Sequence, residues 1–138
     1  MSESADWSLD PQLARDTVAV GDLPLSRLLL MDDANYPWAI LVPRRASAVE
    51  LIDLSEEEQA RLTREIAAVS AALRAATGCH KLNVAALGNV VAQLHVHVIA
   101  RFREDAAWPR PVWGAAPRKV YAPGERDELI AALRQVTA

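Results

Sequence analysis

One helix constrains this chain more than any other feature. Ser55 and Glu58 stand three apart ahead of an apolar run. At that spacing the serine hydroxyl accepts from the backbone N–H of Glu58, and the glutamate reaches back to the serine N–H. Leu62, Ile66, Val69 and Leu73 then recur at steps of four, three and four, which puts them on one helical face. Gly78 falls where a left-handed closing residue is wanted. A helix with one apolar face must lie on something, and short β-branched or apolar runs flank it at residues 17–20, 27–31, 39–42, 82–86 and 90–101. The pattern predicts an α+β domain: an antiparallel sheet of about five strands with the capped helix on one face.

Smaller signals fill in the rest. Asp10-Pro11 reads as a cap and first helical residue, opening a short helix. Gly21-Asp22 and Gly88-Asn89 read as turns, 32–37 as a loop of turn formers, and Pro43 with Arg44-Arg45 as a strand end. Residues 108–114, Trp-Pro-Arg-Pro-Val-Trp-Gly, follow neither period and predict a structured loop. A last amphipathic helix is expected over 125–136, with Leu129, Ile130, Leu133 and Val136 on one face. There is no internal repeat or flexible linker, so residues 1–138 are read as one domain, with a core at about 17–103 and a C-terminal loop and helix over 104–138.

Composition removes several function classes. Fifteen Lys plus Arg against eighteen Asp plus Glu give a charge of −3, whereas a nucleic-acid polymer or an anionic membrane calls for a basic excess. The single cysteine, Cys79, forms no intrachain disulfide, and the acidic N-terminus lacks the features of a signal peptide, so a cytoplasmic location is expected. No run approaches the 18 or so apolar residues of a membrane helix.

The chemistry is concentrated in Gln93-Leu94-His95-Val96-His97-Val98-Ile99. On a strand, side chains alternate, so Gln93, His95 and His97 would share one face, about 6–7 Å apart from one to the next. Imidazole is the side chain best suited to nucleophilic or acid–base work near neutral pH. Three readings compete: a solvated polar face, a metal site, and direct catalysis by His95 at phosphorus. A metal needs further ligands, and no Asp, Glu or Cys follows before Glu104.

The surroundings favour catalysis. Gly88-Asn89 precedes the row, Leu28-Leu29-Leu30-Met31-Asp32 lies upstream, and Pro37-Trp38 leads into Ile40-Leu41-Val42-Pro43. In order and spacing these blocks resemble the histidine triad (HIT) family of nucleotide hydrolases and transferases, whose signature is His-φ-His-φ-His-φ-φ. The resemblance spans most of residues 17–103 and implies a HIT-like fold and a homodimer. It makes His95 the nucleophile at the α-phosphate of a nucleotide or dinucleotide, through a covalent nucleotidyl-histidine and with no metal or other cofactor. His97 would stabilise the phosphate oxygens, Asn83 and Asn89 would donate to those oxygens or to the leaving group, and Asp32 (or Asp33) would bind ribose. Two positions depart from the family pattern: Gln93 replaces the first histidine of the triad, and Trp38 stands where a further histidine is usual, beside the substrate. These substitutions keep open a second reading, a nucleotide-binding module with little catalysis. A small metalloenzyme using His95 and His97 and a purely structural protein remain outside alternatives.

Weaker candidates are Arg44, Arg45, Arg101 and Arg103 as phosphate contacts, Tyr36 as a base-stacking wall, and the 108–114 loop as a cover or a crossing to a partner subunit. His80 reads as a partner for the dipole of the capped helix.

Overall fold

A computed structural model describes residues 6–137 of the chain. Helix α1 (Pro11–Asp16) opens on Asp10, whose carboxylate accepts from the Gln12 N–H. It runs directly into β1 (Thr17–Asp22), followed by β2 (Ser26–Met31) and β3 (Trp38–Pro43). A 3-10 turn at Leu51–Asp53 precedes α2 (Glu56–Thr77), and β4 (Lys81–Ala85), β5 (Val96–Arg101) and α3 (Glu125–Arg134) complete the order. The strands form one antiparallel sheet in the order β1-β2-β3-β5-β4. This is the α+β architecture expected, with α2 capped as anticipated by the reciprocal Ser55–Glu58 bonds and closed by Gly78 at φ 64°.

The sheet divides the interior in two. Leu28, Leu30, Ala39, Leu41, Val96, Val98 and Ala100 face α2 and α3, meeting Leu62, Val69, Leu73, Ile130 and Leu133. Leu29, Ile40, Val42 and Ile99 face the other way, under a cover made by the chain's two ends: Trp7 and Leu13 from one, Ala107 and Val112 from the other. Buried Glu65 on α2 accepts from the N–H groups of Leu25 and Ser26, which ties the helix to the hairpin between β1 and β2.

Two boundaries differ from expectation. Gly21-Asp22 is not a turn: β1 passes through both with an irregularity between Ala19 and Gly21, and the reversal falls at Pro24. Gly21 serves packing instead, because a Cβ there would lie 3.0 Å from the Thr137 methyl carbon. The strand expected from Val90 starts only at Val96, since residues 86–95 form an irregular arm with Gly88 at φ 74°.

Candidate active site

His97 pairs with Ile40 across β3 and so belongs to the face of the sheet covered by the chain ends. His95 lies just before β5, at the end of the irregular arm. The two imidazoles meet edge to face with ring centres 4.8 Å apart, closer than a regular strand would hold them, and both are buried.

Their tautomers follow from their partners. His95 Nδ1 lies 2.6 Å from the Gln93 carbonyl oxygen. A carbonyl only accepts, so Nδ1 carries the proton and the Nε2 lone pair is left for chemistry. For His97 the logic inverts. The Trp38 indole Nε1–H donates to His97 Nδ1 at 2.9 Å, and an indole N–H only donates, so the proton of His97 sits on Nε2. Burial, and secondly the nearby His95, depress the pKa of His97 to about 4. Its ring is neutral near pH 7 and presents an N–H donor. The pair therefore offers one lone pair and one donor side by side.

Both histidines line a hollow of about 340 Å³ together with Asn89, Gln12, Asp16 and Trp113. Its walls are mainly apolar, from Leu13, Met31 and Val91 among others. Trp113 stands edge-on to His97 and to Trp38, with ring centres 5.0 and 5.8 Å away. The 108–114 loop thus covers the site of its own chain.

The remaining sequence candidates divide. Asn89 shares the hollow with the histidines. Trp38 is buried against His97, and its indole N–H donates to that ring. Gln93 is not in the row. With β5 starting after it, its amide turns to the N-terminal segment, where Oε1 accepts from the Asp10 N–H and Nε2 donates to the Ser8 carbonyl. Asn83 lies opposite Ile99, and its oxygen accepts from Arg101. Asp32 falls beyond the end of β2 with its carboxylate paired to Arg118 and Arg126, outside the histidine hollow. Asp33 accepts from the N–H groups of Asn35 and Lys119.

The arginines singled out in the sequence serve the fold. Arg44 donates to the carbonyls of Leu23 and Pro24, Arg45 pairs with Glu58, and Arg103 donates to His80. Arg101, almost fully buried, pairs with Asp105 and donates to the Arg110 carbonyl. Tyr36 is a core residue packed on Trp38, and His80 also meets the Trp108 ring. Among the described residues no three His, Cys, Asp or Glu side chains gather as a metal-binding group, and no helix is long and apolar enough to cross a membrane.

Sequence reasoning missed Gln12 and Asp16. The Asp10-Pro11 signal marked their helix, but nothing local showed that α1 would fold back over the histidines.

Comparison with known proteins agrees with this geometry. Residues 12–104 match the HIT domain family model. A crystal structure of a histidine triad protein from Bradyrhizobium japonicum is 56% identical, superposes with a TM-score of 0.93, and is matched over 96% of this chain and 98% of its own. Histidine triad proteins from Sinorhizobium meliloti and Marinobacter aquaeolei are 44% and 42% identical, with TM-scores of 0.90 and 0.89. The first covers 94% of this chain and 96% of its own, the second 94% and 95%. No curated protein matches the chain. With a family model matching well over half its length and relatives this similar along nearly all of it, the chain belongs to the histidine triad (HIT) family.

Proposed function

We propose that this protein is a nucleotide phosphohydrolase or nucleotidyl transferase working through a covalent nucleotidyl-His95 intermediate without a metal ion. Membership of the family supports a nucleotide-binding or nucleotide hydrolase or transferase module. The observation that carries the finer reading is the opposed tautomer pair: a lone pair on His95 Nε2 beside a proton on His97 Nε2. His95 Nε2 attacks the α-phosphorus, forming a P–N bond as the bond to the leaving group breaks. The leaving group departs with the electron pair. Water, or another acceptor, then takes the nucleotidyl group and restores the neutral imidazole. This divides one difficult displacement into two easier ones. The His97 Nε2–H and the Asn89 amide donate to the phosphate oxygens as charge builds. Dinucleoside polyphosphates and nucleoside phosphoramidates are the substrate classes proposed.

The test is trapping. After incubation with an α-phosphate-labelled substrate of either class and rapid denaturation, wild type should carry label on His95. His95→Ala should carry none and lose turnover by about a thousandfold or more. Full turnover in that variant sinks the proposal. Nucleotide binding with no adduct in wild type selects the binding-module reading.

We also propose a homodimer. What supports it is the unpaired edge of β4 together with exposed Val84, Leu87 and Val90 on and near it, a combination that monomers avoid. Sedimentation equilibrium showing only monomer would remove this part.

A further inference from the structure

We infer that this site favours nucleotides whose leaving group is an apolar amine over dinucleoside polyphosphates, with Glu50, Leu51 and Ile52 receiving the departing amine. The inference deepens the nucleotide reading above and rests on it. A nucleoside and its leaving group hang from the same phosphorus, so their site needs two spaces that meet at the nucleophile. His95 lines two hollows. Beside the one of about 340 Å³ already described lies another of about 240 Å³, walled by Val49, Glu50, Leu51, Ile52 and Leu94. Leu87, Gly88 and His95 line both, so the two adjoin along the arm before β5. The larger contains His97 and Asn89, the donors for phosphate oxygens, and suits the nucleotide. The smaller is left for the group that departs.

Its chemistry identifies that group. Leu51 and Ile52 are exposed apolar side chains, Ile52 to 83%, and they stand on the 3-10 turn, not on the β4 edge assigned above to pairing. The turn is fixed in place. Asp53 Oδ2 accepts from the N–H groups of Val49 and Glu50, and the N–H of Leu94, the residue before His95, donates to the Ala48 carbonyl at 3.0 Å. Among the described residues, Glu50 brings the one carboxylate to the smaller hollow and Asp16 the one to the larger, and neither hollow is lined by Lys or Arg. Arg15 and Arg118 line a separate hollow that reaches Trp113 but neither histidine. A dinucleoside polyphosphate would leave as a nucleotide, bringing phosphate charge against Glu50 with no cation to offset it. An amine brings no negative charge. Its N–H donates to the carboxylate, and its carbon chain covers Leu51 and Ile52. His95 Nε2 bonds to phosphorus as the P–N bond to the amine breaks, and the amine nitrogen keeps that electron pair. The nitrogen gains two protons on the way to an ammonium ion, and the water that later displaces His95 sheds two.

Kinetics on three substrates sharing one nucleotide test this: the adenosine 5′-phosphoramidates of n-hexylamine and of ammonia, and diadenosine triphosphate. In wild type, kcat/KM for the hexyl compound should exceed that for the unsubstituted one by about tenfold or more. It should exceed that for diadenosine triphosphate by about a hundredfold. A Leu51→Ser, Ile52→Ser double variant, checked for native circular dichroism, should cut the hexyl-to-unsubstituted ratio by about fivefold or more. Glu50→Gln should cut the ratio of the hexyl compound to diadenosine triphosphate by about tenfold. Diadenosine triphosphate turned over as well as the hexyl compound, or ratios unchanged in both variants, overturns the inference. Label still trapped on His95 in that case leaves the catalytic reading standing. If wild type forms no adduct with any of the three, both fall.

Discussion

An indole nitrogen has one hydrogen-bonding option, to donate, and at Trp38 that option decides the state of a neighbour. Its N–H takes up His97 Nδ1 and leaves the proton of His97 on Nε2, in a ring that lines the hollow. Trp38→Phe keeps the aromatic volume near His97 but deletes the donor. The buried Nδ1 then has no partner, at a cost of about 1–3 kcal/mol. The ring is also free to move its proton to the wrong nitrogen. The expected outcome is a drop in kcat of about tenfold with KM little changed, because the donor lost to the transition state matters more than binding. Steady-state kinetics read the split, and nitrogen NMR of the imidazole reads the tautomer. Unchanged kcat would mean that His97 is oriented by something else.

At the scale of elements, the irregular arm before β5 does what a longer strand could not. Because regular pairing starts only at Val96, the Gln93 carbonyl can fold back to His95 while its amide clasps the backbone of Ser8 and Asp10, 83 residues away from Asp10 in the chain. That clasp seats α1, which brings Gln12 and Asp16 to the site. Gln93→Ala should therefore cost about 1–3 kcal/mol, the worth of two net hydrogen bonds. It should also speed hydrogen exchange through α1 while leaving α2 protected, and uniform exchange across both helices would contradict the clasp. The same elements show what was legible beforehand. The caps and apolar stripe of α2 are local, so residues 55–78 specified them outright. His95 and His97 were found because an alternating pair is also a local pattern. Gln93 was misplaced because a strand's first residue depends on which partner strand is in reach, and β3 pairs only from Val96 onward. Asp16 and the commitment of Asp32 to Arg118 and Arg126 were invisible for the same reason: both depend on contacts between the chain's ends and its middle. Nothing local in the sequence marks Glu65 for burial; the fold supplies the two backbone donors that justify it.

Across the whole molecule, two buried groups make stability depend on acidity in the same direction. An unfolded chain protonates His97 near 6.5, the folded one only near 4. Protons therefore favour the unfolded form once the pH drops below 6.5, and about 3 kcal/mol is lost on the way to pH 4. Asp105 acts lower. Burial alone would raise its pKa from 3.8, but Arg101 and the N–H groups of Phe102, Ala107 and Trp108 outweigh that and hold it at about 2. Its contribution is present above 3.8 and lost toward 2, about 2 kcal/mol more. Urea denaturation at intervals from pH 8 to about 3 should show the first loss in wild type. The slope between 6.5 and 4 should flatten in His97→Gln. A stability flat from pH 7 to 4 would contradict the buried neutral ring.

Trp113 lies nine residues past the end of the HIT domain match at 104, yet it roofs His97. The stretch that matches the family model and the residue that roofs the hollow are thus separate pieces of sequence. For the reaction proposed above, choice among substrates is open to change in the loop, since one tethered by Val112 and Ala107 in the core can swap what hangs over the histidines without disturbing the strand that carries His97. Two proteins of this kind can therefore share every residue of their signature and still differ in what they admit.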